Sequence, residues 1–290
     1  MFSRAALPYA LVAALSAITS VQAHGYVYQL DIGNVSWSGY LPYTDPYEDP
    51  VPERIVRKIP GNGPVENVSI SDIQCNTGAE PAALVASAKL GDEIAMHWTA
   101  WPTSHKGPVI TYMARTPDGT NITDWMPDTD SVWFKVDEAG YEDDEWAAVD
   151  IMADKQNSTW YWTIPSDLVA GQYLVRHEII ALHSAETYPG AQFYPMCFQI
   201  QIDDGGDLEA ETSDLVAFPG AYQGSDPGIT IDIYETITNY TIPGPELWVG
   251  ADSNNATELE GTASSFVPSV TTTGGSSDSG SGSSSGAFSL

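Results

Sequence analysis

Phe198-Gln199-Ile200-Gln201-Ile202 alternates apolar and polar side chains, the repeat of an extended strand with one apolar and one polar face. Outward from it, short alternating or apolar runs recur at residues 93–98, 108–114, 131–136, 159–164 and 172–182. Most are bounded by turn-forming residues, as at Leu90-Gly91-Asp92, Pro117-Asp118-Gly119 and Ala170-Gly171. Helical periodicity of useful length is absent, apart from single turns expected near residues 81–87 and 153–156. Many short strands between Gly- and Pro-rich turns indicate a β-sandwich or barrel. Long irregular stretches at residues 40–64 and 205–228 interrupt the pattern. Loops of that length are usually functional or disordered, and on a sandwich they can gather at one end as a flat binding surface.

The ends of the chain read differently. Arg4, an apolar run at residues 11–18 and the closing Val21-Gln22-Ala23 form the pattern of a secretory signal at residues 1–23. The apolar run is short of the roughly 20 residues a membrane span needs, and no later segment is apolar enough. Cleavage after Ala23 leaves His24 at the N-terminus; cleavage a few positions away leaves it an ordinary loop histidine. Residues 24–250 then suit one domain. Residues 251–290 are read as a disordered tail, because the Thr, Ser, Gly and Asp of residues 271–285 cannot bury enough apolar surface to fold. That tail resembles the linker before a carbohydrate-binding module, without a module after it. Its last residues, Ala287-Phe288-Ser289-Leu290, are too short for a GPI-attachment tail.

Composition narrows the function. A net charge of −29 argues against nucleic acid and anionic membranes as partners, and says little about a neutral glucan. The dense acidic patch Glu142-Asp143-Asp144-Glu145 is expected to be a solvated loop. Glycosylation sequons begin at Asn34, Asn67, Asn121, Asn157, Asn239 and Asn255. The only cysteines, Cys75 and Cys197, are most economically one disulfide in an oxidising compartment. So used, they leave no thiolate for a zinc or iron–sulfur site.

Five histidines remain: His24, His97, His105, His177 and His183. As a terminus, His24 offers its α-amine and a ring nitrogen to one metal ion, and a second imidazole completes a nitrogen-rich set that favours copper. His105 lies in a Pro- and Gly-flanked loop, Trp101-Pro102-Thr103-Ser104-His105-Lys106-Gly107-Pro108. His97 alternates away from Ile94, Met96 and Trp98, as a structural strand histidine does. Gln192 and Tyr194 are two apart, so an extended segment turns both to one face. His183 stands at the exit of the long run at residues 172–182, whose return partner begins near Gln192. Read singly, each has a plain structural explanation.

Taken in order, four motifs are more specific. His24-Gly25-Tyr26-Val27, Ser104-His105-Lys106-Gly107-Pro108, Arg176-His177-Glu178-Ile179-Ile180-Ala181-Leu182-His183 and Ala191-Gln192-Phe193-Tyr194-Pro195 resemble the fungal lytic polysaccharide monooxygenases of auxiliary activity family nine, formerly glycoside hydrolase family sixty-one. Asp72-Ile73-Gln74-Cys75-Asn76 and Phe218-Pro219-Gly220-Ala221-Tyr222 fall in the family's order too. The resemblance implies an all-β, immunoglobulin/fibronectin-like β-sandwich whose long loops form a flat active-site face. It implies one copper ion on His24 and His105 with Tyr194 as axial ligand, and His183 and Gln192 as outer groups that tune the metal. Cys75 and Cys197 match the family disulfide, His177 is structural, and Tyr26 and Tyr222 are candidate exposed aromatics of the substrate face. The implied enzyme is a secreted monomer that cleaves cellulose or a related β-1,4-glucan at C1 and/or C4. It uses O2 or H2O2 and an external donor such as cellobiose dehydrogenase or a small reductant. A glycoside hydrolase needs a carboxylate pair that no short motif picks out here, and both tuning residues argue against mere carbohydrate or copper binding.

Overall fold

The structure is a computed structural model and describes residues 24–250. The expected signal segment, the tail and the Asn255 sequon lie outside the described residues.

In chain order the strands are β1 (Val27–Ile32), β2 (Val35–Ser38), β3 (Ala86–Ala88), β4 (Glu93–Trp98), β5 (Val109–Arg115), β6 (Trp133–Ala139), β7 (Tyr141–Glu142), β8 (Glu145–Trp146), β9 (Thr159–Thr163), β10 (Gly171–Ala181) and β11 (Gln192–Ile202). One sheet has the order β2-β1-β4-β9 and a second β3-β11-β10-β5-β6. The two pack face to face as a β-sandwich. Leu30, Met96, Trp160 and Trp162 of the first sheet meet Met113, Val175, Phe198 and Ile200 of the second in the main core. Helix is sparse: one turn, α1 (Asp72–Cys75), 3-10 turns at Asp45–Tyr47 and Ile122–Asp124, and a π-helix at Ala147–Lys155 where a single turn is expected near residues 153–156. No turn of helix forms at residues 81–87; β3 there pairs in parallel with β11.

The second sheet is buried on its outer face as well. Ile110, Tyr112, Leu174, Ile180 and Phe193 point outward into a second apolar cluster, closed by Ile73 of α1 and by Val65, Phe218 and Tyr222 from outside the strands. Phe218 and Tyr222 of the long irregular stretch at residues 205–228 are therefore core. The polar face of Phe198–Ile202 is affected in the same way: Gln199 has no exposed surface. Its amide accepts from Ala82 N–H at 2.9 Å and donates to the carbonyls of Ala82 and Leu84, each at 3.0 Å. A buried amide so satisfied costs little, whereas an unpaired one is expensive.

The disulfide Cys75–Cys197 forms and ties α1 to β11. The acidic patch is a two-residue hairpin between β7 and β8, with Asp143 and Asp144 at φ of 51° and 65°, and its tip is exposed. Among the described residues no helix is long and apolar enough to cross a membrane.

Candidate metal centre

The end of the sandwich where β10 stops and β11 starts gathers most of the expected site residues. Ala181 pairs with Gln192 at that end, so His183, just past β10, lies beside the β11 start. The loop carrying His105 is laced to the same end: Leu182 N–H donates to Lys106 O at 2.8 Å, and Ile180 N–H to Pro108 O at 3.2 Å. Gly107 permits this approach, since a Cβ there would stand 1.8 Å from the Ile180 carbonyl oxygen. The His105 and His183 rings are consequently stacked, with centroids 4.1 Å apart.

His24 comes from the segment leading into β1. Tyr26 N–H donates to Thr99 Oγ1 at 3.2 Å, and Thr99 N–H to Tyr26 O at 2.9 Å. Asn62 Nδ2 donates to His24 O at 3.2 Å, and Tyr43 donates its hydroxyl to Asn62 Oδ1 at 2.7 Å. The His24 ring stands edge-on to His105, centroids 5.7 Å apart and planes at 88°, and 6.1 Å from the ring of Tyr194. Tyr194 lies 6.4 Å from His105 and donates its hydroxyl to Gln192 Oε1 at 2.8 Å. Five of the expected residues therefore share one corner.

The electrostatics of that corner suit metal ligation. Burial, then the neighbouring His183 and His24, lowers the His105 pKa to about 4, so its imidazole is neutral at physiological pH. Burial and His24 lower His183 as well. His105 Nε2 and His183 Nδ1 are buried atoms without a hydrogen-bond partner. Such groups call for an explanation, and a neutral imidazole nitrogen is a lone-pair donor that suits copper or zinc. Burial and then Glu66 raise the Tyr194 hydroxyl, which stays protonated. Among the described residues no three His, Cys, Asp or Glu side chains form a metal-holding group.

Other residues fall elsewhere. His97 bonds Asp31 Oδ2 at 2.7 Å and Thr159 Oγ1 at 3.1 Å within the first sheet. His177 is fully buried; its Nε2 accepts from Trp98 Nε1 at 3.3 Å and its Nδ1 bonds Thr111 Oγ1 at 2.9 Å. Tyr222 lies away from this corner's surface. It is not an exposed aromatic but a buried one, 2% exposed, whose hydroxyl donates to Glu178 beneath the loop containing Phe218. A carboxylate of β10 that faces outward under this loop needs a buried partner, and Tyr222 supplies it. Tyr26 is half-buried, with its ring edge-on to that of Tyr43 at 6.3 Å. Asn34, Asn67, Asn121, Asn157 and Asn239 are exposed.

Three neighbours escape a reading by motif. Trp101 donates Nε1–H to His105 O at 3.0 Å and packs edge-on against Tyr194 at 5.0 Å. Tyr43, 57% exposed, reaches His24 through Asn62, and Tyr234, 71% exposed, donates its hydroxyl to His183 O at 3.1 Å. Their one sequence signal is an aromatic residue within a loop that lacks strand alternation.

Comparison with known proteins agrees with this geometry. The model of AA9, Auxiliary Activity family 9 (formerly GH61), matches residues 24–241. An AA9 family lytic polysaccharide monooxygenase A of Gloeophyllum trabeum is 58% identical over 245 residues, 82% of this chain and 76% of that protein. A lytic polysaccharide monooxygenase B of the same fungus is 54% identical over 235 residues, 79% of this chain and 93% of its own. Among solved structures, the extended catalytic domain of H. jecorina LPMO9A superposes with a TM-score of 0.73 at 35% identity, covering 79% of this chain and 92% of that one.

Proposed function

The chain belongs to auxiliary activity family 9, the lytic polysaccharide monooxygenases, and on that premise we propose that it is a secreted, monomeric, copper-dependent enzyme cutting β-1,4-glucans such as cellulose. In this reading residues 1–23 are removed, residues 24–250 form the catalytic domain and residues 251–290 a tail. Copper would be held by the His24 imidazole and freed α-amine and by His105 Nε2, with Tyr194 beside them. The observation that carries the reading is the buried, unpartnered Nε2 of a neutral His105 whose ring stands edge-on to that of His24. When bound, the metal would supply one-electron chemistry, with an external donor such as cellobiose dehydrogenase or ascorbate and O2 or H2O2 as co-substrate, for oxidation at C1 and/or C4.

The residues of this chain then have definable tasks. Asn62 and Tyr43 hold the His24 main chain, Trp101 fixes the His105 carbonyl, and Ser104 Oγ bonds His105 Nδ1 at 3.0 Å, so the His105 imidazole arrives pre-oriented. Tyr194, kept protonated, donates to Gln192 and so presents a neutral oxygen to the site. His183, stacked on His105, would be an outer group that tunes the metal. Tyr26, Tyr43 and Tyr234 flank the histidines and provide ring faces for sugars of an extended chain. Cellulose incubated with ascorbate and the copper-loaded chain beginning at His24 should release oxidised oligosaccharides, detectable by mass spectrometry. Unoxidised products released without reductant would overturn the reading in favour of hydrolysis.

A further inference from the structure

Arg57 is a buried charge with poor company. It has no exposed surface, and its N–H donates to Cys197 O at 2.9 Å beside β11. Its guanidinium donates from Nη2 to Trp125 O at 2.7 Å and from Nη1 to Met126 Sδ at 3.1 Å, while Nε is buried without a partner. Burial lowers its pKa to about 10, with no carboxylate opposing the shift. Buried charges are normally paired with oxygen-rich partners, and a thioether is a weak acceptor. Met126 is also unusual: it is 36% exposed, whereas Met96, Met113, Met152 and Met196 are buried.

We propose that Met126 is an oxidation site matched to Arg57, where hydrogen peroxide converts the thioether to a sulfoxide whose oxygen becomes the guanidinium's missing acceptor. In the step, a sulfur lone pair attacks one peroxide oxygen and the O–O bond breaks. The sulfur gains that oxygen and loses two electrons, and the other oxygen leaves as water after proton transfer. Methionine oxidation ordinarily disrupts packing, because a polar group replaces an apolar one. Here the sign reverses, since the new oxygen lies within reach of a buried cation, and hydrogen bonds to charged groups are the stronger kind. The modification would tighten the contact between residues 54–59 and the segment ending at Met126.

The test uses the full chain with a chelator present, so that bound metal plays no part and the result is independent of the proposed reaction. After a timed hydrogen peroxide exposure, peptide mass spectrometry should find one added oxygen at Met126 about tenfold or more ahead of any other described methionine. Thermal melts should place the oxidised protein and Met126→Gln, a neutral oxygen acceptor of similar size, at or above the unoxidised wild type. Met126→Leu, which keeps the volume and loses the acceptor, should melt lower. Oxidation of a buried methionine before Met126 would overturn the proposal. So would Met126→Gln melting below Met126→Leu, the order expected if Met126 were only an apolar lid.

Discussion

Replacing Glu178 by glutamine removes one charge from an ion pair that has no exposed surface. Arg176 donates to both Glu178 carboxylate oxygens, at 2.7 Å for Nη2 to Oε2, and its Nε and Nη2 also reach Ile73 O at 3.2 and 2.8 Å. The Phe218 ring lies 4.0 Å from the guanidinium carbon, and Tyr222 donates to the same carboxylate. Burial opposes the arginine charge, but Glu178 together with Tyr222 and Tyr112 outweighs it and raises the pKa. Glutamine keeps the shape and loses the compensating charge, leaving a buried cation, a change that costs about 3–5 kcal/mol. At about 2–4 °C per kcal/mol for a domain of this size, the melting midpoint should fall by roughly 6–20 °C. Tyr222→Phe, which deletes one buried donor, should cost about 1–3 kcal/mol. Differential scanning calorimetry near neutral pH measures both. A Glu178→Gln midpoint within about 2 °C of wild type would refute the reasoning, because the pair would then be inert.

Two further stability effects follow from named groups. Burial raises the Asp137 carboxyl from 3.8 to about 7, despite hydrogen bonds from Trp160 and Thr111, so the folded chain binds this proton more tightly than the unfolded one. Its contribution is therefore present below about pH 4 and lost as pH rises toward 7, and Asp137→Asn should be more stabilising at pH 7 than at pH 4 in paired denaturant titrations. His177 runs the other way: burial and then Arg176 lower it from 6.5 to about 3, so its contribution is present above pH 6.5 and lost as pH falls toward 3. The Asp137→Asn chain should thus lose stability more steeply on acidification than wild type. Removing the disulfide by paired alanine substitutions opens a sequence separation of 122 and should cost about 4–5 kcal/mol of unfolding free energy in guanidinium titrations.

The legible parts of the fold are those with one alternating face. Residues 93–98 coincide with β4 because Ile94, Met96 and Trp98 alternate cleanly between turn signals. β11 extends back to Gln192, past where alternation is visible, because both of its faces are buried and Pro195 interrupts the pattern. β1 escapes detection because its register shifts between Val27 and Gln29, breaking the two-residue repeat, and β2 because its four residues are short and mostly exposed. Gln199 and Tyr222 mislead for one physical reason: each is covered by chain far away in sequence, and periodicity carries no information about that cover. In the candidate site, His24, His105, His183, Gln192 and Tyr194 can be found because they sit in short ordered motifs. Trp101, Tyr43 and Tyr234 act through single hydrogen bonds from loops, which no local pattern marks.

The central claim is that His24 as a free N-terminus, together with His105, makes one copper site. Calorimetric titration with Cu(II), read alongside the electron paramagnetic resonance spectrum, tests it on chains that differ only at that end. The chain beginning at His24 should bind one ion tightly with a nitrogen-rich tetragonal spectrum, and both features should be lost in His105→Ala and in a chain carrying one extra residue before His24. Equal affinity and an unchanged spectrum in all three would contradict the claim.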